Sequence, residues 1–228
     1  LYCQTCIILA FTVHTGSISV WAVFFMKKLL KRIGICLVLA ASVWCGSLLA
    51  DRQRLNDGLI RFHVVANSDS EEDQSVKLQV RDAVLNSLQS DLNKIADVNE
   101  ARAYLQAKLP QIQAVANSVL EATGCDCEAV VTLCKEAFDT RYYDTFTLPA
   151  GIYEALRITI GEGEGHNWWC VAFPSLCLSA TSEEFASKAA GAGFPDSLTG
   201  ALDGKEKYEM RFFLLDALGE LEKILFAG

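Results

Sequence analysis

The chain has 228 residues, of which 51% are hydrophobic, and its 20 basic and 28 acidic side chains give a formal net charge of −8 at pH 7. This length is enough for a domain with a substantial core. The excess of acidic side chains argues against a nucleic-acid-binding protein, because phosphates require a basic surface. The charge is unevenly placed: residues 1–50 contain four basic and no acidic side chains, whereas residues 51–228 carry a formal charge of −12.

Residues 26–50 have the pattern of an export segment. Met26 is followed by four basic residues within six positions and then by the uncharged stretch 33–50. A basic segment followed by an apolar one is typical of a signal peptide. The 18 residues of the uncharged stretch also approach the minimum for a membrane-spanning helix. The sequence therefore leaves open a cleaved signal peptide or a retained membrane anchor, and in both cases we expect residues 51–228 to form a single domain outside the membrane.

Residues 1–25 contain no charged side chain and begin with Leu1. We interpret them as upstream sequence read through as protein, with translation beginning at Met26. The alternative is a second membrane helix, which would make residues 1–50 a helical hairpin with a basic cytoplasmic turn. Polar residues interrupt this stretch, and this favours the first interpretation.

Five of the nine cysteines follow residue 50, and disulfides persist in exported proteins. Pro174 lies between Cys170 and Cys177, where a turn can bring the two cysteines to disulfide distance. Cys125 and Cys127 alone are a weak zinc motif, since no second close pair follows. Burial of all five as small apolar residues is the remaining alternative. We therefore predict a Cys170–Cys177 disulfide and no metal site.

The first half of the exported part is predicted to be mainly helical. Residues 59–66 alternate as a strand with one buried face. Ser68 and Glu71 are spaced as a capping box for a helix that runs to about Asn93. Two further helical pieces meet at Pro110, and Gly124 is a C-terminal stop.

The second half is predicted to contain strands and a final helix. The strands are Ala129 to Phe138, Ile152 to Ile160 and Asn167 to Phe173. Residues 179–205 are predicted to be a loop with a short helix, followed by an amphipathic helix over 205–226 whose apolar face is Leu214, Leu218, Leu221 and Leu225. The sum is an α+β fold, a mainly antiparallel sheet with helices packed on one face, preceded by an N-terminal export segment.

Three polar residues could form a hydrolytic site if the fold joined them: His63, Asp69 and His166. An exported hydrolase acting on cell wall is the resulting alternative function. No spacing forces this site, because the chain lacks a nucleophile elbow or a close pair of histidines. Structural roles are the competing interpretation, with Asp69 at a helix N-terminus and His166 as a solvated loop residue.

The glycine-rich segment Gly161–Gly165 does not predict a nucleotide or other phosphate cofactor. Glu162 and Glu164 lie between its glycines and would repel phosphate, and no P-loop lysine follows. Trp168 and Trp169 come next and point to opposite faces of a strand. Either one of them is an exposed anchor for a protein partner, or both lie in the core.

Two segments carry a family resemblance. Residues 59–74 read LIRFHVVANSDSEEDQ and continue as VKLQVRD over 76–82. Residues 148–157 read LPAGIYEALR, and residues 161–177 read GEGEGHNWWCVAFPSLC. With Arg211-Phe212 near the end, these segments resemble the stage II sporulation protein R family over about residues 59 to 225.

This resemblance implies a protein made in the forespore and exported into the space between the two membranes. It implies that the protein triggers a membrane-bound aspartic protease, stage II sporulation protein GA, which cleaves the pro-sequence of the mother-cell sigma factor E. The resemblance transfers no catalytic residue, so we expect a signal and not an enzyme. We expect its partner contact near Glu162, Glu164, His166, Trp168 and Trp169.

Overall fold

The computed structural model describes residues 4–176, 182–204 and 209–227. The chain divides into two compact units, Leu1–Ser47 and Leu48–Gly228. Helix α1 (Gln4–Gly58) makes up the described part of the first unit and continues into the second.

The described part of the chain contains one stretch, Val23–Gly58, that is long and apolar enough to cross a membrane, judged by length and composition. Its mean hydropathy reaches 2.2. Large apolar side chains along it, such as Leu37, Val38 and Val43, are more than half exposed. Such a surface is unfavourable in water, and the helix is compatible with a signal sequence or a membrane anchor.

The described residues of the second unit contain six strands: β1 (Ile60–Val65), β2 (Ala129–Phe138), β3 (Arg141–Tyr142), β4 (Thr147–Leu148), β5 (Gly151–Ile160) and β6 (Asn167–Phe173). Four of them form one sheet in the order β2-β5-β1-β6, and β3 and β4 form a separate hairpin. β5 is antiparallel to β2, and β6 is antiparallel to β1, but the central strands β1 and β5 are parallel. The sheet is therefore mixed, and the expectation of a mainly antiparallel sheet is corrected. A parallel pair needs a crossover connection, and the chain between β1 and β5 supplies it.

Helices cover both faces of the sheet, so the prediction of helices on one face is wrong. Helices α2 (Glu71–Leu92) and α3 (Val98–Thr123) pack on one face with Ile60, Phe62 and Val64 of β1. The end of α1 and helices α4 (Ser182–Gly191), α5 (Asp196–Leu202) and α6 (Glu209–Ala227) contribute to a second core on the other face. Every residue of β1 is buried, as is usual for a strand covered on both sides.

Local signals predicted several element ends correctly and some wrongly. Gly124 ends α3 in the left-handed conformation, with φ of 74°. The cap of α2 is Ser70 and not Ser68, because the Ser70 side chain accepts a hydrogen bond from the backbone of Asp73. Helix α3 runs through Pro110 as one helix that packs against both α2 and β2. The predicted loop over 179–205 contains the two helices α4 and α5.

Glu154 lies on the apolar face of β5, where a carboxylate needs a partner. Arg102 of α3 provides it, with Nε 2.6 Å from Glu154 Oε2. The Glu154 side chain is 13% exposed. This ion pair connects α3 to the centre of the sheet.

Candidate partner-binding site

The two segments that carry the family resemblance meet at one edge of the sheet. β1 ends at Val65, which pairs with Thr159 near the end of β5 and with Asn167 at the start of β6. The loop that follows β1 (residues 66–70, the β1 loop) and the turn between β5 and β6 (residues 161–166, the glycine turn) therefore leave the sheet side by side. The parallel pairing of β1 with β5 and its antiparallel pairing with β6 bring them together.

Backbone hydrogen bonds hold the glycine turn against the β1 loop. The amide of Glu164 donates to the carbonyl of Asn67 at 3.1 Å, and the amide of Gly165 donates to the carbonyl of Ala66 at 3.0 Å. A Cβ at Gly165 would lie 2.2 Å from the carbonyl oxygen of Ser68. Glycine is therefore required at this position by close approach of two backbones.

Side chains of the β1 loop complete this contact. The amide of Glu162 donates to Asn67 Oδ1 at 3.1 Å. Asn67 Nδ2 and Ser68 Oγ both donate to Asp73 Oδ2, at 3.0 and 2.5 Å. These hydrogen bonds, from Ser68 first and Asn67 second, hold the pKa of Asp73 below its usual range. One carboxylate of α2 thus orders the residues that bind the turn.

Asp69 and His166 form an exposed pair across the two segments. Asp69 Oδ1 accepts a hydrogen bond from the backbone amide of His166 at 2.6 Å and lies 2.5 Å from His166 Nδ1. The two side chains are 53% and 81% exposed. The backbone hydrogen bond and the ring contact lower the pKa of Asp69 from its ordinary value. The pair is fixed in position and available to a partner.

A buried lysine of α2 holds the backbone of the glycine turn. Lys77 of α2 is 5% exposed, and its Nζ donates to the carbonyl of His166 at 2.8 Å. It also donates to Gln74 Oε1, and Gln74 Nε2 in turn donates to the carbonyl of Ser68 at 3.0 Å. Burial lowers the pKa of Lys77. The interaction fixes the backbone at His166 to α2.

Trp168 and Trp169 lie on opposite faces of β6, and both are half buried. Trp168 packs edge-on against Phe62 with ring centroids 5.9 Å apart, and the guanidinium of Arg81 covers its ring at 4.8 Å. Trp169 stacks on His63 with centroids 4.7 Å apart, and Arg141 lies 4.4 Å from its ring centroid. Each indole thus presents one part of its surface to the domain and keeps another part accessible.

The structure brings Asp69 and His166 together but places His63 elsewhere. His63 is 2% exposed on the second face of the sheet, where its Nε2 lies 3.0 Å from Glu136 Oε2. Burial opposes ionisation of Glu136, but the contact with His63 and the charge of Arg157 outweigh burial and lower the pKa of Glu136. The geometry therefore does not assemble the three-residue hydrolytic site considered from the sequence.

The cysteines give one disulfide among the described residues, between Cys125 and Cys127. Cys170 is buried, and Cys177 lies outside the described residues, so the pairing of these two stays a prediction. Within residues 4–176, 182–204 and 209–227, no group of three or more His, Cys, Asp or Glu side chains could hold a metal ion.

Sequence reasoning missed the residues that position the site, namely Asn67, Asp73 and Lys77. Asp73 lies in the acidic first turn of α2, where a carboxylate is expected for the helix dipole alone, and Lys77 lies one turn further along the same helix. The sequence of the glycine turn carries a signal that could have predicted its contact with another loop. A glycine at every second position indicates close packing against another backbone as well as a turn.

Comparisons with a family model and with a curated protein point to the same family. The family described as Stage II sporulation protein R matches residues 56–183, a range that includes the β1 loop and the glycine turn. Stage II sporulation protein R of Bacillus subtilis (strain 168) is 43% identical over 122 residues, which cover 54% of this chain and 54% of that protein. The chain thus aligns with about half the length of this relative. No solved structure matches the chain. The chain belongs to the stage II sporulation protein R family.

Proposed function

We propose that this protein is an exported sporulation signal that activates a membrane-bound aspartic protease, stage II sporulation protein GA, and thereby triggers processing of the pro-sigma-E factor in the mother cell. In this proposal the protein is a ligand and not an enzyme. The observation that supports it best is the docking of the glycine turn on the β1 loop. The two segments that resemble the family pack against each other there, and both carry exposed polar side chains.

The exposed groups at this edge indicate which side chains a partner would need in order to bind here. Glu162, Glu164 and Asp69 are exposed acidic side chains, and His166 stands beside Asp69. Because they lie on backbone held by hydrogen bonds, little conformational entropy is lost when a partner binds them. We propose that the receptor presents basic side chains to this edge.

The proposed location follows from the N-terminal segment. Val23–Gly58 contains a stretch apolar enough to cross a membrane, and four basic residues lie just before the uncharged stretch 33–50. In the proposal, the chain is secreted across the forespore membrane into the intermembrane space, or anchored in that membrane by residues 26–50 with residues 51–228 outside. Either form would place the glycine turn where a mother-cell membrane protein can meet it.

Co-expression in a non-sporulating host tests the proposal. The full chain is produced with the protease and its sigma-factor substrate, and the cleaved sigma factor is quantified on immunoblots. We expect cleavage only when all three proteins are present. Cleavage without this chain, or none with it, would contradict protease activation.

A charge-matched pair of variants then tests the surface. Glu162→Gln with Glu164→Gln should reduce cleavage, whereas Glu100→Gln with Glu121→Gln, which removes two exposed charges from α3, should leave it unchanged. Equal thermal stability of the two variants is the control for folding. Equal cleavage by both variants would locate the contact elsewhere.

A further inference from the structure

Helix α6 carries a row of apolar side chains that faces away from the domain. Met210, Phe213, Leu221 and Ile224 are 63, 65, 52 and 69% exposed, and Ala217 between them is also exposed. Their spacing of three and four residues places them on one side of the helix. We call these five residues the outer stripe of α6. Such a contiguous exposed apolar surface marks an interaction site.

The opposite side of α6 is fixed against the domain, so the outer stripe cannot rotate inward. Leu215 is fully buried, and a Cβ at Gly219 would lie 1.7 Å from the carbonyl oxygen of Ala150. Asp216 Oδ1 accepts hydrogen bonds from the Ala150 amide, at 2.8 Å, and from Thr140 Oγ1. The exposure of the stripe is therefore built into the packing of the helix.

Two ion pairs connect α6 to the residues that directly follow the uncharged stretch 33–50. Arg211 donates to Asp51, whose side chain is 2% exposed. Arg52 Nη2 lies 2.6 Å from Glu222 Oε2, and Asn56 Nδ2 donates to Glu222 Oε1 at 2.8 Å. If residues 33–50 lie in a bilayer, chain connectivity keeps α6 close to the lipid surface, because its partners begin at residue 51.

We propose that the outer stripe of α6 rests in the boundary between headgroups and acyl chains of the membrane that holds the N-terminal helix. An apolar helix surface that faces away from its domain can lie in this boundary with its apolar side chains buried among the lipids. The stripe contains no basic residue, and α6 has four acidic side chains against two basic ones. Binding is therefore driven by apolar burial and does not require anionic lipid.

This contact is independent of protease activation. The stripe lies on a different helix from the α2 residues that support the glycine turn. Its role is to limit the orientations of the domain relative to the bilayer. The lipid contact can fail while the proposed signalling function holds, and the reverse is also true.

Photo-crosslinking of the full chain tests the proposal. The protein is reconstituted in phosphatidylcholine nanodiscs with p-benzoylphenylalanine in place of Phe213 or Ile224. The control carries the same photoprobe in place of Tyr142, which is 80% exposed in the β3–β4 hairpin. Adducts are identified by mass spectrometry after proteolysis.

We expect phosphatidylcholine adducts at 213 and 224 at least several-fold above the adduct at 142. Adducts at 213 or 224 to a second copy of the chain would overturn the proposal in favour of self-association. Equal lipid labelling at all three positions, or none at 213 and 224, would also overturn it. All three replaced side chains are exposed, so the substitutions remove no core contact.

Discussion

Asp69 and His166 are 97 residues apart in sequence, and a single carboxylate oxygen of Asp69 contacts both the backbone amide and the ring Nδ1 of His166. This relationship joins the loop after the first strand to the turn before the last. It is exposed, and it depends on the pairing of β1 with both β5 and β6. A pair with these properties is positioned to act on a partner as one unit.

We first predict that Asp69→Ala and His166→Ala each reduce sigma-factor cleavage in the co-expression assay. We expect each variant to lose about 5-fold in cleavage, the size of effect typical of one contact at a binding surface. The double variant should lose little more than either single one, because contacting residues are not additive. Strictly multiplicative losses would show that the two residues act separately.

The pKa of Asp73 predicts a pH-dependent effect. Asp73 has a lower pKa in the folded state than its ordinary value of 3.8, so its ionisation stabilises the fold above that pH. This stabilisation is lost as pH falls through the lower, folded-state pKa. Asp73→Asn should therefore cost roughly 1 kcal/mol at pH 7 and less at pH 3, which lies below the ordinary pKa of 3.8. Thermal unfolding in detergent at both pH values measures this, and a constant difference would contradict the assignment.

Gly165→Ala should disrupt the docked turn. The added Cβ meets the carbonyl oxygen of Ser68, and relieving that clash requires a backbone shift that costs about 1–3 kcal/mol. Gly191→Ala is the matched control, since a Cβ there meets no atom within 4 Å. Urea unfolding of both variants measures the difference. Equal stability would mean that the turn is not closely packed.

The Arg102–Glu154 pair should behave as a partly buried ion pair. Arg102→Gln leaves a carboxylate that is 13% exposed without its cation, which we expect to cost about 2 kcal/mol. Adding Glu154→Gln should recover part of this loss, because the uncompensated charge is then removed. A double-mutant cycle by chemical denaturation measures the coupling. Additive effects would indicate that the pair contributes nothing.

The sequence was sufficient for elements whose signals are local. The bounds of β2 and β6 were predicted as they occur, because strand alternation and neighbouring turn residues are encoded within ten positions. Gly124 was identified as a helix end for the same reason. The residues of the glycine turn were also singled out, although the reason for the glycines was not.

The tertiary structure determines the features that depend on residues far apart in the sequence. No local pattern encodes that β1 pairs in parallel with β5 and antiparallel with β6, and these two pairings place Asp69 beside His166. The orientation of α6 is a second case. Leu221 and Leu225 were predicted for its buried side, but they are 52 and 73% exposed, whereas Leu215 is buried. Because α6 is apolar on two sides, periodicity could not show which side faces the domain. The close approach of Gly219 to Ala150 determines that side.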